Sequence, residues 1–216
     1  MLNMNGRSFI PENTMPAAPA KAAPRATNAA AILDAANRLF CKKGFHGTST
    51  REVAEAAGVS LGNIYNHFKG KEELFAALLE RFEAEYFAPG QPMAQAFLDA
   101  PFPANIEAIG RASGQTVNKF ADYILLIYVD VVEFQGRHIA KLFREMRVRY
   151  AKHVAKAGRG AVAPDVDPVA AMMMVTLSYF NYFTVEKLFG VKNHFGMGDE
   201  EAIKAFARIF RRGVER

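Results

Sequence analysis

The amino-acid sequence predicts an all-α protein in which a small three-helix head precedes a longer helical body, with about nine helices in total. Apolar residues recur at helical spacing from Ala29 onward, and no stretch alternates convincingly between apolar and polar residues with period two. Clusters of glycine and proline divide the chain into segments of helical length. Half of the 216 residues are hydrophobic, which is enough apolar material for a sizeable core.

The first 27 residues differ from the rest of the chain in composition and show no helical periodicity. Pro11, Pro16, Pro19 and Pro24 lie there among alanines and small polar residues. Prolines at this density interrupt regular structure, because each one fixes φ and lacks a backbone N–H donor. We therefore interpret residues 1–27 as a flexible tail.

The head is predicted to span residues 28–72. Its first helix begins near Ala29 and ends at Gly44, since glycine suits the left-handed position that closes a helix. A second helix begins at Ser49, because Ser49-Thr50-Arg51-Glu52 has the spacing of a capping box. It ends at Gly58, and a short third helix follows.

The link between the second and third helices has the features of a helix-turn-helix motif. Gly58 supplies the positive φ of a tight turn, and Ala54 and Ala57 are small enough for the two helices to approach closely. Ser60 is a favourable N-cap for the third helix. The first turn of that helix, Leu61-Gly62-Asn63, should then point outward, as a recognition helix does in the major groove of DNA. A plain αα-hairpin in a helical bundle is the alternative interpretation.

Positive charge is concentrated in the same part of the chain. Residues 1–71 contain nine basic and four acidic residues, a net charge of +5, whereas residues 72–216 contain 18 of each sign. The whole net charge of the protein, +5, therefore lies in its first third. A basic segment beside a neutral, apolar one indicates a head that binds a polyanion such as a nucleic acid.

The region around this turn contains more than a glycine between two helices. It combines Leu39-Phe40, Lys43-Gly44-Phe45, Thr48, Val53-Ala54, Ala57-Gly58-Val59-Ser60, Tyr65, His67-Phe68 and Lys71-Glu72-Glu73-Leu74. Over roughly residues 30–80 this combination resembles the DNA-binding domain of the TetR family of bacterial repressors. The remainder of the chain resembles the family only in its helix layout and in its ending, Ile209-Phe210-Arg211-Arg212-Gly213. The resemblance implies a dimer with a DNA-binding head and a ligand-binding body.

The resemblance also implies roles for individual residues of the head. Phosphate contacts are implied for Thr48, Thr50, Tyr65, His67 and Lys71. Base contacts are implied for Leu61, Gly62, Asn63 and Asn66, since asparagine can bond adenine and leucine can meet a thymine methyl. Two positions depart from the family pattern: Gly70 replaces the usual side-chain cap, and Leu61 stands where a polar or basic residue is common. Upstream, Lys21 and Arg25 form either an arm that reaches a minor groove or part of a solubilising tail.

The body, residues 73–216, is predicted to bind an effector and to form the dimer. Pro89–Pro103 breaks the helical pattern and marks a boundary between head and body. Beyond it, helices are predicted at about 104–119, 122–134, 137–157, 167–189 and 199–213.

The helix after Asp167-Pro168 is apolar nearly all round as far as Val185. Such a helix must be covered on every face, so one side packs on its own body and the other requires a partner. We expect a four-helix interface made with the last helix of each subunit, and full burial in a monomer core is the alternative. The expected interface residues are Met172, Thr176, Tyr179, Phe206 and Phe210.

Aromatic and polar residues in the body predict an effector pocket with apolar walls and a few polar anchors. The candidate residues are Tyr123, Tyr128, Asp130, Glu133, Phe134, His138, Tyr179, Asn181, Tyr182 and Phe183. For each of them an ordinary core or surface position is the alternative. Asp130 and Glu133 are the most interior-looking charges of this set, so they favour a small hydrophobic effector that is neutral or cationic.

Signatures of other functional classes are missing from the sequence. The histidines and the single Cys41 lack metal-ligand spacing, and there is no catalytic motif or phosphate loop, so we expect no metal, cofactor or enzymatic activity. Without a signal peptide or a run of eighteen apolar residues, a cytoplasmic protein without membrane contact is expected. The expected function is a ligand-responsive repressor of the TetR type that binds palindromic operator DNA as a dimer. The alternative is a constitutive architectural or division-associated DNA-binding protein on the same fold, without a small-molecule effector.

Overall fold

The computed structural model describes residues 25–158 and 161–215, so almost all of the predicted tail, including Lys21, lies outside the described residues. The described residues form ten helices and no strand, which confirms the all-α class. These helices are α1 (Arg25–Lys43), α2 (Thr50–Ala57), α3 (Leu61–His67), α4 (Lys71–Tyr86), α5 (Pro92–Asp99), α6 (Ile106–Lys119), α7 (Ala121–Phe134), α8 (Ile139–Ala157), α9 (Pro168–Lys187) and α10 (Asp199–Val214).

One of the ten, α5, lies within Pro89–Pro103, the segment expected to break the helical pattern. Pro92 occupies the first turn of α5, where its missing N–H has no helical partner to lose. Met93 and Ala96 are buried, so this short helix packs on the body, chiefly against α6. Proline therefore begins a helix here.

The local signals predicted for the head are present in the structure. Ser49 Oγ accepts a hydrogen bond from the Glu52 N–H at 3.2 Å, and the Glu52 carboxylate accepts one from the Ser49 N–H at 2.8 Å. Gly58 has φ +68°, in the left-handed region, and Ser60 Oγ accepts from the Asn63 N–H at 3.1 Å. The capping box of α2, the glycine turn and the N-cap of α3 are all confirmed.

The Glu52 carboxylate of the capping box also forms an ion pair with Lys43. Lys43 donates to Glu52 at 2.6 Å, and this bond, together with those from Ser49, lowers the pKa of Glu52 from 4.5 to about 2. Because the pKa is depressed in the folded state, the stabilisation is present above the ordinary pKa and is lost as pH falls through about 2.

Removal of the N-cap hydroxyl should destabilise α2. We expect Ser49→Ala to lower the free energy of unfolding by about 1 kcal/mol, because the Glu52 N–H loses its acceptor. Ser49→Thr keeps a hydroxyl at the same position and serves as the matched control. Urea unfolding followed by circular dichroism measures both variants, and equal losses would contradict the capping role.

In the body, α6 lies at the centre and packs closely on α9. A Cβ atom at Gly110 would lie 2.9 Å from the ring of Tyr179, and one at Gly114 would lie 3.0 Å from the ring of Phe183. The first distance is shorter than real Cβ contacts allow and the second is tighter than most of them, so the two aromatic rings of α9 lie directly on the backbone of α6. Glycine at these two positions permits that close approach.

Two further properties concern the described part of the chain as a whole. None of its helices combines the length and the apolar character required to cross a bilayer. Its histidine, cysteine and acidic side chains form no group of three or more that could hold a metal ion.

Candidate nucleic-acid interface and ligand cavity

Helix α3 is anchored by one side and exposed on the other. Ile64 is fully buried in the head core, while Gly62, Tyr65 and Asn66 are exposed and Leu61 is half-buried. No atom of the chain is close enough to forbid a side chain at Gly62, so the fold does not require glycine there. A glycine in the first turn of an exposed helix allows another molecule to approach the helix backbone closely.

Two of the residues predicted to contact phosphate lie side by side. The hydroxyls of Thr50, at the start of α2, and Tyr65, on α3, are 3.5 Å apart, and the Tyr65 side chain is 54% exposed. His67, at the end of α3, is half-buried beside the ring of Phe68. Two hydroxyls on one surface of the motif can donate to neighbouring phosphate oxygens.

Thr48 and Lys71, also predicted to contact phosphate, make hydrogen bonds within the head. Thr48 is buried, and its hydroxyl donates to the Gly44 carbonyl at 2.9 Å. Lys71 Nζ donates to the carbonyls of Phe45 and Thr48 at 2.7 and 3.0 Å, and it lies 4.3 Å from the centre of the Phe45 ring. Thr48 therefore presents no hydroxyl to DNA, and Lys71 has one N–H left for an outside partner.

Asp130, predicted to line the pocket, instead caps a helix. It is fully buried, and its carboxylate accepts hydrogen bonds from the backbone N–H groups of His138 and Ile139 at 3.2 and 2.9 Å. The same carboxylate lies 2.6 Å from Nδ1 of His138. Asp130, which lies on α7, thus provides the acceptor for N–H groups at the start of α8 that have no partner within that helix. The prediction that Asp130 faces an effector is therefore corrected.

Glu133 and Phe134, two more predicted pocket residues, join the body to the head. The Glu133 carboxylate pairs with Nε2 of His46 at 2.6 Å. The Phe134 ring packs against Phe45 and Phe75, with ring centres 4.8 and 5.0 Å apart. A neutral or cationic effector is expected only if Asp130 and Glu133 face the pocket, and in the structure both carboxylates are engaged elsewhere.

The remaining predicted pocket residues also lie elsewhere. Tyr123 stacks on Phe82, and Tyr128 is exposed beside Phe189. On α9, the Tyr179 hydroxyl donates to the Ile203 carbonyl at 2.8 Å, while Tyr182 stacks on His194. Phe183 packs on Gly114, and Asn181 is exposed. The ten candidates thus occupy several separate places, and the structure does not bring them together.

A small apolar cavity of about 50 Å³ lies between α4, α7, α8 and α9. Its walls are Phe82, Tyr86, Ile127, Leu142, Phe143, Met146, Thr176, Leu177 and Phe180. None of the lining residues is charged, and the cavity is smaller than the sites that hold drug-sized ligands, so a ligand of that size requires the walls to move. The cavity could not be found from the sequence, because each helix contributes only two or three residues from a face that otherwise resembles ordinary core.

The polar atoms near this cavity belong to three hydroxyl groups. The Tyr150 hydroxyl donates to Thr176 Oγ1 at 3.3 Å, and burial raises the pKa of Tyr150 to about 12. Burial also raises the pKa of Tyr86, whose hydroxyl interacts with that of Tyr150.

The predicted interface residues divide into two groups. Met172, Thr176 and Tyr179 are buried within the chain and offer no surface to a partner, because α6 and α8 cover that side of α9. Phe206 and Phe210 are half-buried around Tyr179. The exposed apolar side chains of these two helices are different ones: Met174, Leu177 and Ile209.

Comparisons with known proteins agree with this geometry. Residues 32–78 match the model described as bacterial regulatory proteins, tetR family. The transcriptional regulator AcrR of Shigella flexneri is 46% identical over 71 residues, covering 29% of this chain and 33% of AcrR, so this match spans about a third of that relative. The uncharacterized regulator YvkB of Bacillus subtilis is 26% identical over 188 residues, covering 85% of this chain and 95% of YvkB.

Among solved structures, the regulator FadR from Bacillus subtilis, in complex with stearoyl-CoA, has a similar fold. The TM-score is 0.60 at 15% identity, over 86% of this chain and 99% of FadR. The similarity therefore extends through the body as well as the head.

Proposed function

Because the chain belongs to the TetR family of bacterial transcription regulators, which are not enzymes, we propose that it is a ligand-responsive repressor that binds near-palindromic operator DNA as a homodimer. The single observation that carries this proposal is α3, which is held by a capped turn and exposes its first turn and the Tyr65 hydroxyl. A helix presented in this way fits the major groove.

At the DNA, we assign two kinds of contact to α3 and its surroundings. Leu61, Gly62, Asn63 and Asn66 lie at the face that meets base edges. Thr50, Tyr65 and His67 contact the phosphate backbone, and the remaining N–H of Lys71 adds to them. The net charge of +5 in residues 1–71 supports binding to any DNA sequence, and the α3 side chains then select among sequences.

We place the dimer interface on the exposed sides of α9 and α10. Met174 and Ile209 are 64% and 67% exposed although both are apolar. Two copies related by two-fold symmetry would bury these side chains against each other, since such an interface uses the same surface on both subunits. Two-fold symmetry of the protein also requires matching DNA half-sites.

We assign effector binding to the apolar cavity, and we propose that α4 transmits the effect of binding to the DNA-binding head. The N-terminal half of α4 contributes Leu74 and Phe75 to the core beneath the motif, while the C-terminal half contributes Phe82 and Tyr86 to the cavity wall. A hydrophobic occupant gains from burying its apolar surface there. An occupant that displaces Phe82 and Tyr86 also displaces the helix on which the head rests.

Two variants of α3 test the assignment of DNA contacts. Tyr65→Phe should weaken binding about fivefold to a selected operator and to unrelated DNA alike, because only a phosphate contact is lost. Leu61→Ala should weaken binding to the operator by about tenfold, with little effect on unrelated DNA, because a contact with a thymine methyl is lost. Fluorescence anisotropy with both duplexes measures these effects. A loss in Leu61→Ala that is equal on both duplexes would contradict base recognition at this position.

A further inference from the structure

Helix α7 has an apolar face that the described part of the chain leaves uncovered. The large side chains of this face are Leu125, Tyr128, Val131 and Val132, and all four are exposed in the single chain. Leu125, Tyr128 and Val132 follow one another at intervals of three and four positions, which is the spacing of one helical face. Val132 is 79% exposed, more than any other large apolar side chain among the described residues.

The outer face of α7 is also without charge. Between Tyr123 and Val132 the one charged residue is Asp130, which is buried and bonds to the start of α8. A helix that is apolar on every side is normally covered on every side. Proteins that function as monomers rarely expose a large contiguous apolar patch, so this face indicates an interaction surface.

The apolar face continues onto the link between α9 and α10, residues 188–198. Phe189, Val191 and Phe195 of this link are exposed. The ring centre of Tyr128 lies 5.7 Å from that of Phe189, so α7 contacts the link directly. Further along the link, the ring centre of Phe195 lies 5.6 Å from that of Phe206 on α10. One apolar band therefore joins the outer face of α7 to a helix on which the dimer interface is proposed.

The size of a stable dimer interface also favours a surface larger than α9 and α10 provide. The exposed large apolar side chains of those two helices are Met174, Leu177 and Ile209. A stable interface buries about 800 Å² on each partner and draws on roughly 20–30 residues. The α7 face and the link contribute seven further exposed large apolar side chains, four on α7 and three on the link.

We propose that the outer face of α7 packs against the partner subunit of the same dimer, so that the interface extends from α9 and α10 across the link to α7. This inference rests on the proposed dimer and adds a surface to it. The occupant is a second copy of this chain, because the face is continuous with the surface proposed to be shared by the two copies. In an interface of two-fold symmetry, each contact of this face is repeated on the other subunit.

Contact at this face bears on DNA binding, because α7 is attached to the head at both ends. At its start, the Cys41 thiol of α1 donates to the Asp122 carbonyl at 3.2 Å. At its end, Glu133 pairs with His46 in the loop before α2. A partner subunit on α7 therefore helps to fix the position of one head relative to the other. Dimer affinity and operator affinity should decrease together when the face is altered.

Val132→Glu tests the proposal in solution. We expect the dissociation constant of the dimer to rise about a hundredfold, because two-fold symmetry would bury two unpaired carboxylates in one interface. Operator affinity should fall in parallel. Ala155→Glu is the matched control, since it places the same charge at an exposed position of α8 outside the apolar band, and it should change neither quantity. Sedimentation at several protein concentrations gives the dissociation constants, and circular dichroism verifies that both variants are folded.

Fluorescence measures burial of the same face directly. The chain has no tryptophan, so Tyr128→Trp introduces a single reporter. We expect the emission of this variant at shorter wavelength in the dimer than in monomers obtained by dilution, because the indole leaves water on assembly. Equal emission from dimer and monomer would overturn the proposal.

The remaining outcomes separate this inference from the proposed dimer. If Ile209→Glu is monomeric while Val132→Glu dimerises as the wild type does, the α7 surface is overturned and the interface on α9 and α10 stands. A monomeric wild type overturns both. A tetramer that Val132→Glu converts into dimers would place the face between dimers and overturn its place within one. If the emission of Tyr128→Trp changes only on removal of residues 1–24, the chain's own N-terminal segment covers the face, and the proposal is overturned.

Discussion

Ile209→Glu is expected to convert the proposed dimer into folded monomers and to lower operator affinity at least a hundredfold. Ile209 is an apolar residue of α10 that is 67% exposed in the single chain, so a charge there does not disturb the monomer core. In the proposed dimer the carboxylate would be buried without a partner, and symmetry would place two such groups in one interface. A monomer contacts only one half-site, which explains the large loss of affinity.

Lys204→Glu provides the control for Ile209→Glu, because Lys204 is exposed on the polar side of the same helix. Analytical ultracentrifugation gives the oligomeric state, circular dichroism verifies the fold, and anisotropy gives the operator affinity. The interface would have to be placed elsewhere if Ile209→Glu remained a dimer with unchanged operator affinity.

Loss of the buried carboxylate at position 130 is expected to produce the largest effect on stability. Asp130→Ala removes the acceptor for two backbone N–H groups and for His138 Nδ1, all at the start of α8. Donors left without partners each cost about 1–3 kcal/mol, so we expect a total loss of about 3 kcal/mol. For a protein of this size that loss lowers Tm by roughly 6–12 °C.

Asp122→Ala, an exposed position on the same helix, is the matched control and should change Tm little. Asp130→Asn retains an acceptor oxygen and should lie between the two. Calorimetry of the three variants measures the effect. The assignment of Asp130 as the cap of α8 would not survive equal Tm values for Asp130→Ala and Asp122→Ala.

The parts of the structure that the sequence predicted depend on interactions between residues close in the chain. Ser49 and Glu52 are three positions apart, and so are Ser60 and Asn63, whose hydrogen bonds set the starts of α2 and α3. Gly58 needs only its own backbone angle to close the turn. Local geometry of this kind is encoded by residue type and spacing, which is why the head was predicted element by element.

Other parts depend on which surfaces of distant helices meet, and one sequence does not contain that information. Asp130 resembled a pocket residue because it is a lone acid on an apolar helix, and its partners lie across the next loop. Lys71 lies 26 positions from Phe45, whose carbonyl accepts its hydrogen bond. The interface residues on α9 were misplaced for the same reason, since an all-apolar helix does not reveal which side its own body covers.

The two glycines of α6 have a mechanical consequence for the molecule. Because the rings of Tyr179 and Phe183 rest on the α6 backbone, α6 and α9 are closely packed at these two positions and have no room there to move closer together. Helix α4, in contrast, borders an incompletely filled cavity and is attached to α8 by exposed ion pairs. We therefore expect α4 to move more readily than α9, the helix on which the dimer interface is proposed, when a ligand enters the cavity.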